Sequence, residues 1–397
     1  MERQIKKNLE EAFAAQFGPL QGGAYFFAPS RINLIGEHID YNGGRVLPCA
    51  LSMGTYALAA PNQTGTLRLY SLNLQEKASL PLPPAEQAQG KSWALYPAGV
   101  YVALRKQGLL KNTRRGLDVV VVGNIPHGAG LSSSASLELV FGVLYNYFLA
   151  EGAIAMMDLV HAGVWCENTY LGLHTGIMDQ YVIAFGQKDR AMLLDTAQER
   201  HQWVPFQHEG VQIVILNTNK SRRLQDSKYN ERRAECEQAL ARIQKVKPIR
   251  QLCALTPSDL PLLDQLLEEP LRKRARYVVE ENHRVTRAVA AMREKSWTSL
   301  GQLLRESHRG LQMDYEVSGP ELDAICEAAN AHPACYGARM TGAGFGGCAI
   351  ALVAADQVED FCLQVGQAYL KKTARRADFL FSEAGTGARL LEPVSLA

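Results

Sequence analysis

Apolar and polar positions along this chain follow two spacings, and the spacing changes from segment to segment. From Arg3 to Phe17 the apolar residues Ile5, Leu9, Phe13 and Phe17 recur every fourth position among charged ones. That spacing predicts a charged amphipathic helix, not a secretion signal. Short runs rich in β-branched and aromatic residues predict strands at Tyr25–Phe27, Thr55–Ala59 and Thr66–Tyr70. A helix is expected over Trp93–Lys106. The run Leu117-Asp-Val-Val-Val-Val122 reads as a buried strand, and a long helix follows from Ser133. Further on, Asp158–Leu171 reads as helix, Ala191–Leu194 and Val211–Asn217 as strands, and 228–331 as largely helical. Strand, helix and strand close the chain. No Pro/Gly/Ser-rich linker divides it, so a boundary between two halves is placed only approximately, near residue 200.

Three segments interrupt the periodic pattern and carry chemistry. Ala28-Pro-Ser-Arg-Ile-Asn-Leu-Ile-Gly-Glu-His-Ile-Asp-Tyr-Asn-Gly-Gly44 packs Arg31, Glu37, His38 and Asp40 into ten residues. Donors and acceptors at that density suit a ligand with many hydroxyls, because each hydroxyl both donates and accepts. A polar turn after a strand would also explain the segment by itself. Gly123-Asn-Ile-Pro-His-Gly-Ala-Gly-Leu-Ser-Ser-Ser-Ala-Ser-Leu-Glu138 joins a strand to a helix. Gly128 and Gly130 let backbone approach a ligand, and Ser132, Ser133 and Ser134 are N-cap candidates. Free N–H groups and the helix dipole favour an anion there, with phosphate the expected one. The third segment, Ala338-Arg-Met-Thr-Gly-Ala-Gly-Phe-Gly-Gly347, precedes a strand, whereas a dinucleotide fingerprint opens a helix. Gly90-Lys-Ser92 is not a Walker loop, because Ala85 stands where that motif needs glycine.

These motifs, in this order, resemble the GHMP kinase superfamily. Arg31-Ile-Asn-Leu-Ile-Gly-Glu-His-Ile-Asp-Tyr-Asn42 is similar to the galactokinase family signature within it. Gly176-Ile-Met-Asp-Gln180, Asn217-Thr-Asn219 and Asp226-Ser-Lys-Tyr-Asn-Glu-Arg-Arg233 extend the resemblance over nearly the whole chain. It implies an α+β, two-domain GHMP kinase fold with the active site in the interdomain cleft. The N-terminal domain, 1–200, would be ribosomal-protein-S5-domain-2-like and carry the sugar signature and phosphate loop. The C-terminal domain, 201–397, would be ferredoxin-like.

The resemblance also implies ATP-dependent phosphorylation of D-galactose at the C1 hydroxyl, with Mg²⁺ accompanying ATP. Asp179, expected in a loop after a helix, would take the hydroxyl proton. Arg31 would lie beside it, and a neighbouring cation favours the ionised form of a carboxylate. Glu37, His38, Ile39, Asp40, Gly176 and Tyr229 would form the sugar site, with Tyr229 closing over the sugar. Gly128, Ala129, Gly130, Leu131, Ser132, Ser133 and Ser134 would hold the phosphates. Ser134 and Glu167 would hold Mg²⁺. Ser71 is a further candidate contact to the nucleotide, while the 339–347 loop would support the cleft by close backbone packing.

Two positions depart from the family pattern: Ser30 replaces the usual glycine and Ile39 the usual threonine. They keep related sugar 1-kinases, acting on N-acetylgalactosamine, arabinose or galacturonate, open as alternatives. A non-catalytic sugar sensor is disfavoured by the intact Ser132–Ser136 run. At 397 residues the chain can bury two cores. Its net charge of +2 gives no electrostatic basis for nucleic-acid binding. No apolar run reaches membrane-spanning length. Eight cysteines without a CxxC pair point to a reduced, cytoplasmic protein. His161, Cys166 and His174 match no usual zinc spacing. No obligatory protein partner is expected.

Overall fold

A computed structural model describes residues 2–111, 115–126, 128–206, 210–220 and 225–394. His127, in the glycine-serine segment, lies outside them.

The strand Ala24–Asn33 organises the first half. All ten of its residues are buried, so its apolar pattern is continuous and does not alternate. Tyr25 and Phe27 face one side, packed with Leu9 and Phe13 of the helix Glu2–Phe17. Phe26 and Ala28 face the other and join the main core, where Phe26 meets Tyr147 and Phe148 edge-on. This strand lies second in a six-stranded sheet. The order is Arg389–Pro393, Ala24–Asn33, Pro48–Asn62, Gly116–Gly123, Thr66–Ser71 and Glu76–Pro81. Only the Thr66–Ser71 pairing with Gly116–Gly123 is parallel. The register with Pro48–Asn62 slips between Pro29 and Arg31. Such a bulge re-aims the side chain that follows it, here Arg31.

A four-stranded antiparallel sheet builds the second half, ordered Cys335–Met340, Cys348–Ala354, Val211–Asn217 and Asp378–Leu380. The helices Gln225–Ile243, Leu271–Arg293 and Trp297–Met313 belong to this half. A small sheet of Arg45–Val46, Arg190–Asp195 and Arg200–Pro205 completes the strands among the described residues. Residue 200 opens the second strand of that hairpin, and Arg389–Pro393 returns to pair with Ala24–Asn33. The main core runs without a break from Phe26 and Leu139 to Leu304 and Leu352.

Several expected elements are longer or differently wound. The helix expected over 158–171 is an α-helix at Met156–Trp165 that widens into a π-turn at Cys166–Tyr170. Asp179 stands in the first turn of a short helix, Met178–Phe185, and not in a loop. Every residue of that helix except Asp179 and Phe185 is buried, so no amphipathic period marks it. The strand Glu76–Pro81 was invisible for the opposite reason. It is a polar edge strand with no buried face.

The helix Trp297–Met313 rests on the strand Cys335–Met340 through two glycines. A Cβ on Gly301 would run into the Tyr336 carbonyl, and one on Gly337 into Gly301. Gly301→Ala is expected to lower the unfolding free energy by about 1–3 kcal/mol. The Gly301→Ala/Gly337→Ala double variant should cost less than the sum, because one displacement relieves both contacts. Urea midpoints of the three variants test this; an unchanged midpoint for Gly301→Ala would refute it.

Candidate active site

The bulge at the end of Ala24–Asn33 sends Arg31 toward the helix Met178–Phe185. Its Nε donates to Asp179 Oδ1 and its Nη2 to Asp179 Oδ2, both at 2.7 Å. The remaining nitrogen, Nη1, donates to the Gly130 carbonyl at 3.1 Å. Ser132 Oγ donates to Asp179 Oδ2. One guanidinium thus joins the first segment, the glycine-serine loop and the Asp179 helix.

The loop turns on Gly128 and Gly130, both at φ 71°, and on Ser132 at φ 58°. Ser132 occupies the N-cap of the helix Ser133–Leu149, but in left-handed geometry and with no side-chain cap bond. The capping expected from the serines is therefore not made. Its hydroxyl serves Asp179, and the first turn of the helix is left without a side-chain cap facing the loop.

The segment after Arg31 is held by charge from the second half. Glu37 is buried, and its carboxylate accepts from Asn33 Nδ2 at 2.6 Å and from the Gly342 N–H at 2.7 Å. Arg339, wholly buried, lies 3.3 Å from Glu37 Oε1. Burial still pushes the Glu37 carboxyl above its usual range, with Arg339 and Arg31 opposing. His38 Nε2 donates to the Ala343 carbonyl, so Nδ1 accepts from the Tyr41 hydroxyl at 2.9 Å. Tyr41 accepts in turn from Tyr315, and Tyr315 from Cys236 Sγ. Burial pushes His38 down to about 3, so it is neutral. Both its ring nitrogens have protein partners, which makes it a wall of the site more than a donor to a ligand.

Asp40 stands across from Asp179. Burial and the Asp179 charge push its carboxyl up to about 6. Gly176 is needed for its placement, since a Cβ there would overlap the Asp40 carboxylate. Tyr229, on the helix Gln225–Ile243, sets its ring 5.3 Å from His38 and 5.5 Å from Tyr41. Glu167 sits in the π-turn, buried rather than exposed. Ser134 Oγ donates to its Oε1 at 3.0 Å; Thr175 Oγ1 and Gln180 Nε2 donate to its Oε2 at 2.6 and 3.0 Å.

These groups surround one cavity of about 290 Å³. Arg31, Glu37, His38, Asp40, Gly176, Asp179 and Tyr229 line one part of it. Gly128, Gly130, Ser132, Ser133, Ser134 and Glu167 line the rest. Four expected residues do not reach it. Ile39 is wholly buried, with its side chain against Gly44 in the core, so it cannot contact a ligand there. Ala129 and Leu131 are buried beneath the loop, where the Leu131 carbonyl accepts from the Arg31 N–H. Ser71 Oγ accepts from the Leu74 N–H, outside the lining. Tyr96, Leu173, Thr175 and Met178 line the cavity beyond the expected site residues, and Gly342 and Ala343 of the 339–347 loop line it too. Thr175 adjoins Gly176 in sequence, the one signal that could have found it. The 339–347 loop supports the site as expected, and a Cβ on Gly342 would meet the Gly130 carbonyl at 2.9 Å.

Among the described residues no group of three or more His, Cys, Asp or Glu side chains is placed to hold a metal. His161 pairs with Glu199, and Cys166 is a buried thiol whose pKa burial raises. Ser134 and Glu167 form a pair of hard oxygens open to the cavity. Such a pair fits Mg²⁺, which takes few protein ligands and keeps several waters.

Residues 11–61 match the galactokinase galactose-binding signature, 96–187 the GHMP kinases N terminal domain, and 288–371 the GHMP kinases C terminal domain. The chain is 46% identical to galactokinase from Exiguobacterium sibiricum, over 97% of this chain and 98% of that one. It is 44% identical to galactokinase from Bacillus subtilis, over 98% of this chain and 100% of the relative. The crystal structure of Lactococcus lactis galactokinase complexed with galactose superposes with a TM-score of 0.94 at 42% identity, covering 98% of this chain and 100% of that one. Identity at this level over essentially full length, together with the shared fold, shows that the chain belongs to the galactokinase family of the GHMP kinases.

Proposed function

We propose that this protein transfers the γ-phosphoryl group of ATP to the C1 hydroxyl of D-galactose, giving α-D-galactose 1-phosphate and ADP. The observation that carries this reading is the Arg31–Asp179 pair. It stands where the hydroxyl-binding segment and the phosphate loop meet. The full-length similarity to galactokinases supports the sugar.

The Asp179 carboxylate already accepts from Arg31 at both oxygens and from Ser132 at Oδ2. A carboxylate has about four lone-pair sites, so one remains, on Oδ1. The C1 hydroxyl would donate there. Its oxygen attacks the γ-phosphorus, the bond from that phosphorus to the ADP oxygen breaks, and the hydroxyl proton passes to Asp179. Three donors hold the carboxylate in place. A loose phosphoryl-transfer transition state asks little of the base, and positioning dominates. Arg31 brings positive charge to the point of transfer. Asp40 and Glu37 accept from other sugar hydroxyls, and Tyr229 covers the ring. Ser134 and Glu167 are the side chains that would hold Mg²⁺, which when bound neutralises charge on the β- and γ-phosphates.

We further propose two domains, 1–200 and 201–397, with the boundary at the start of the strand Arg200–Pro205 and the sugar and phosphate segments in the first. Eight cysteines without a CxxC pair support a reducing compartment such as the cytoplasm. Among the described residues no helix is long and apolar enough to cross a membrane.

A coupled ADP-release assay with galactose, N-acetylgalactosamine, arabinose and galacturonate tests the reaction. Faster turnover of any other sugar would overturn the assignment. Asp179→Asn keeps the shape but removes the base, and kcat should fall roughly 100- to 10,000-fold with a smaller change in galactose KM. Steady-state kinetics would contradict that role if KM rose while kcat held.

The Asp40 carboxyl, pushed up to about 6, faces Asp179, Glu37 and the Tyr229 hydroxyl. Protonation removes acceptor sites, so galactose KM should rise as pH falls through about 6. In Asp40→Asn the KM should be roughly 10- to 100-fold higher and flat across that range. A pH–KM profile of both proteins checks this, and matching slopes would refute it.

Ser134→Ala and Glu167→Gln should each raise the Mg²⁺ concentration for half-maximal rate. The double variant should show less than the combined effect, because both act through one ion. An unchanged Mg²⁺ requirement in Glu167→Gln would remove that residue from the metal site.

A further inference from the structure

Three helices converge behind Glu167. Ser133–Leu149 contributes Glu138, Met178–Phe185 contributes Gln180, and Met156–Trp165 contributes Gly163. Gln180 is wholly buried and has no place in the mechanism above. Its amide nitrogen donates to Glu138 Oε2 at 2.9 Å and to Glu167 Oε2 at 3.0 Å. An amide nitrogen carries two protons, so each carboxyl takes one. Glu138 is almost wholly buried, and burial, with the Glu167 charge beside it, raises its pKa well above the usual range.

Two further observations set this bridge apart from ordinary core packing. A Cβ on Gly163 would meet Gln180 Cγ at 2.9 Å and Glu138 Oε2 at 3.1 Å. The space that lets Gln180 reach both carboxyls therefore exists because residue 163 has no side chain. The Gln180 Oε1 atom has no partner among the described residues. A buried acceptor left unpaired is costly, so the amide is kept here for what its nitrogen holds. The consequence lies at Glu167. Its Oε2 is held from behind by Gln180 and Thr175, while among the described residues Oε1 is engaged only by Ser134, on the cavity side.

We propose that Gln180 is a positioning residue for the metal side of the site. Bridging Glu138 and Glu167, it holds Glu167 Oε2 inward and presents Oε1, beside Ser134 Oγ, to the cation that accompanies the nucleotide. The proposal rests on the assignment of Ser134 and Glu167 to that cation.

The test is calorimetric titration of the whole protein with a non-hydrolysable ATP analogue, in Mg²⁺ and in EDTA. Galactose binding to the nucleotide-free protein is measured alongside. In Gln180→Leu the affinity gained from Mg²⁺ should fall roughly 10-fold, while galactose affinity stays within about twofold of wild type. Gly163→Ala removes no polar group but crowds Gln180, and it should lose part of the same gain. An undiminished Mg²⁺ gain in both variants would reduce Gln180 to a core residue and overturn the proposal. So would a Gln180→Leu protein that loses galactose and Mg²⁺-dependent binding together. If wild type itself showed no Mg²⁺ gain, the assignment of Ser134 and Glu167 would fall first, and this proposal with it.

Discussion

The ion pair between the buried Arg31 and the half-buried Asp179 is the contact on which the site depends. A guanidinium taken out of water is costly unless its donors are met in good geometry. Here two donors meet one carboxylate and a third meets the Gly130 carbonyl. That fork fixes three pieces of chain at once: the bulged end of Ala24–Asn33, the phosphate loop and the short helix of Asp179. Arginine is suited to this, because its planar fork matches a carboxylate and leaves a further donor for backbone. A lysine would supply the charge without the alignment.

A second buried pair does similar work from the other half. Arg339 faces Glu37 and donates to the Leu34 carbonyl at 2.9 Å. Glu281 adds to this by accepting from the Gly36 N–H at 3.0 Å, with Arg284 and Ser307 on the same carboxylate. Glu37 therefore both lines the cavity and answers a buried charge of the fold. Replacing it would leave Arg339 buried beside a neutral group, so its effect on binding cannot be separated cleanly from its effect on stability.

Environment also decides which groups stay neutral. His38 is fixed as one tautomer by a chain of hydrogen bonds that starts at a carbonyl and ends at the Cys236 thiol. Burial, with Glu167 beside it, pushes the Glu138 carboxyl well above its usual range. Asp40 lies between these extremes, sensitive to pH because it is buried and faces Asp179. Acids of similar intrinsic chemistry are thus shifted to different extents by their packing.

The sequence by itself determined the elements with strong local patterns and the identity of the chemistry. The first helix, the Val119–Val122 strand and the long helix from Ser133 follow from spacing alone. The three unusual segments follow from residue types that no turn or core requires together. Most named site residues accordingly line the one cavity. What escaped was either locally patternless or long-range. The Met178–Phe185 helix is too short and too evenly buried to show a period, and Glu76–Pro81 is too polar to look like a strand. Ile39 sits between two ligand-facing residues, yet its apolar side chain turns into the core; neighbours in sequence need not share a face. Which oxygen of Glu167 points at the cavity, and that Arg339 answers Glu37, are set by pairs far apart along the chain. Only the packed structure decides those, because burial fixes the cost of each charge and distance fixes which partner meets it.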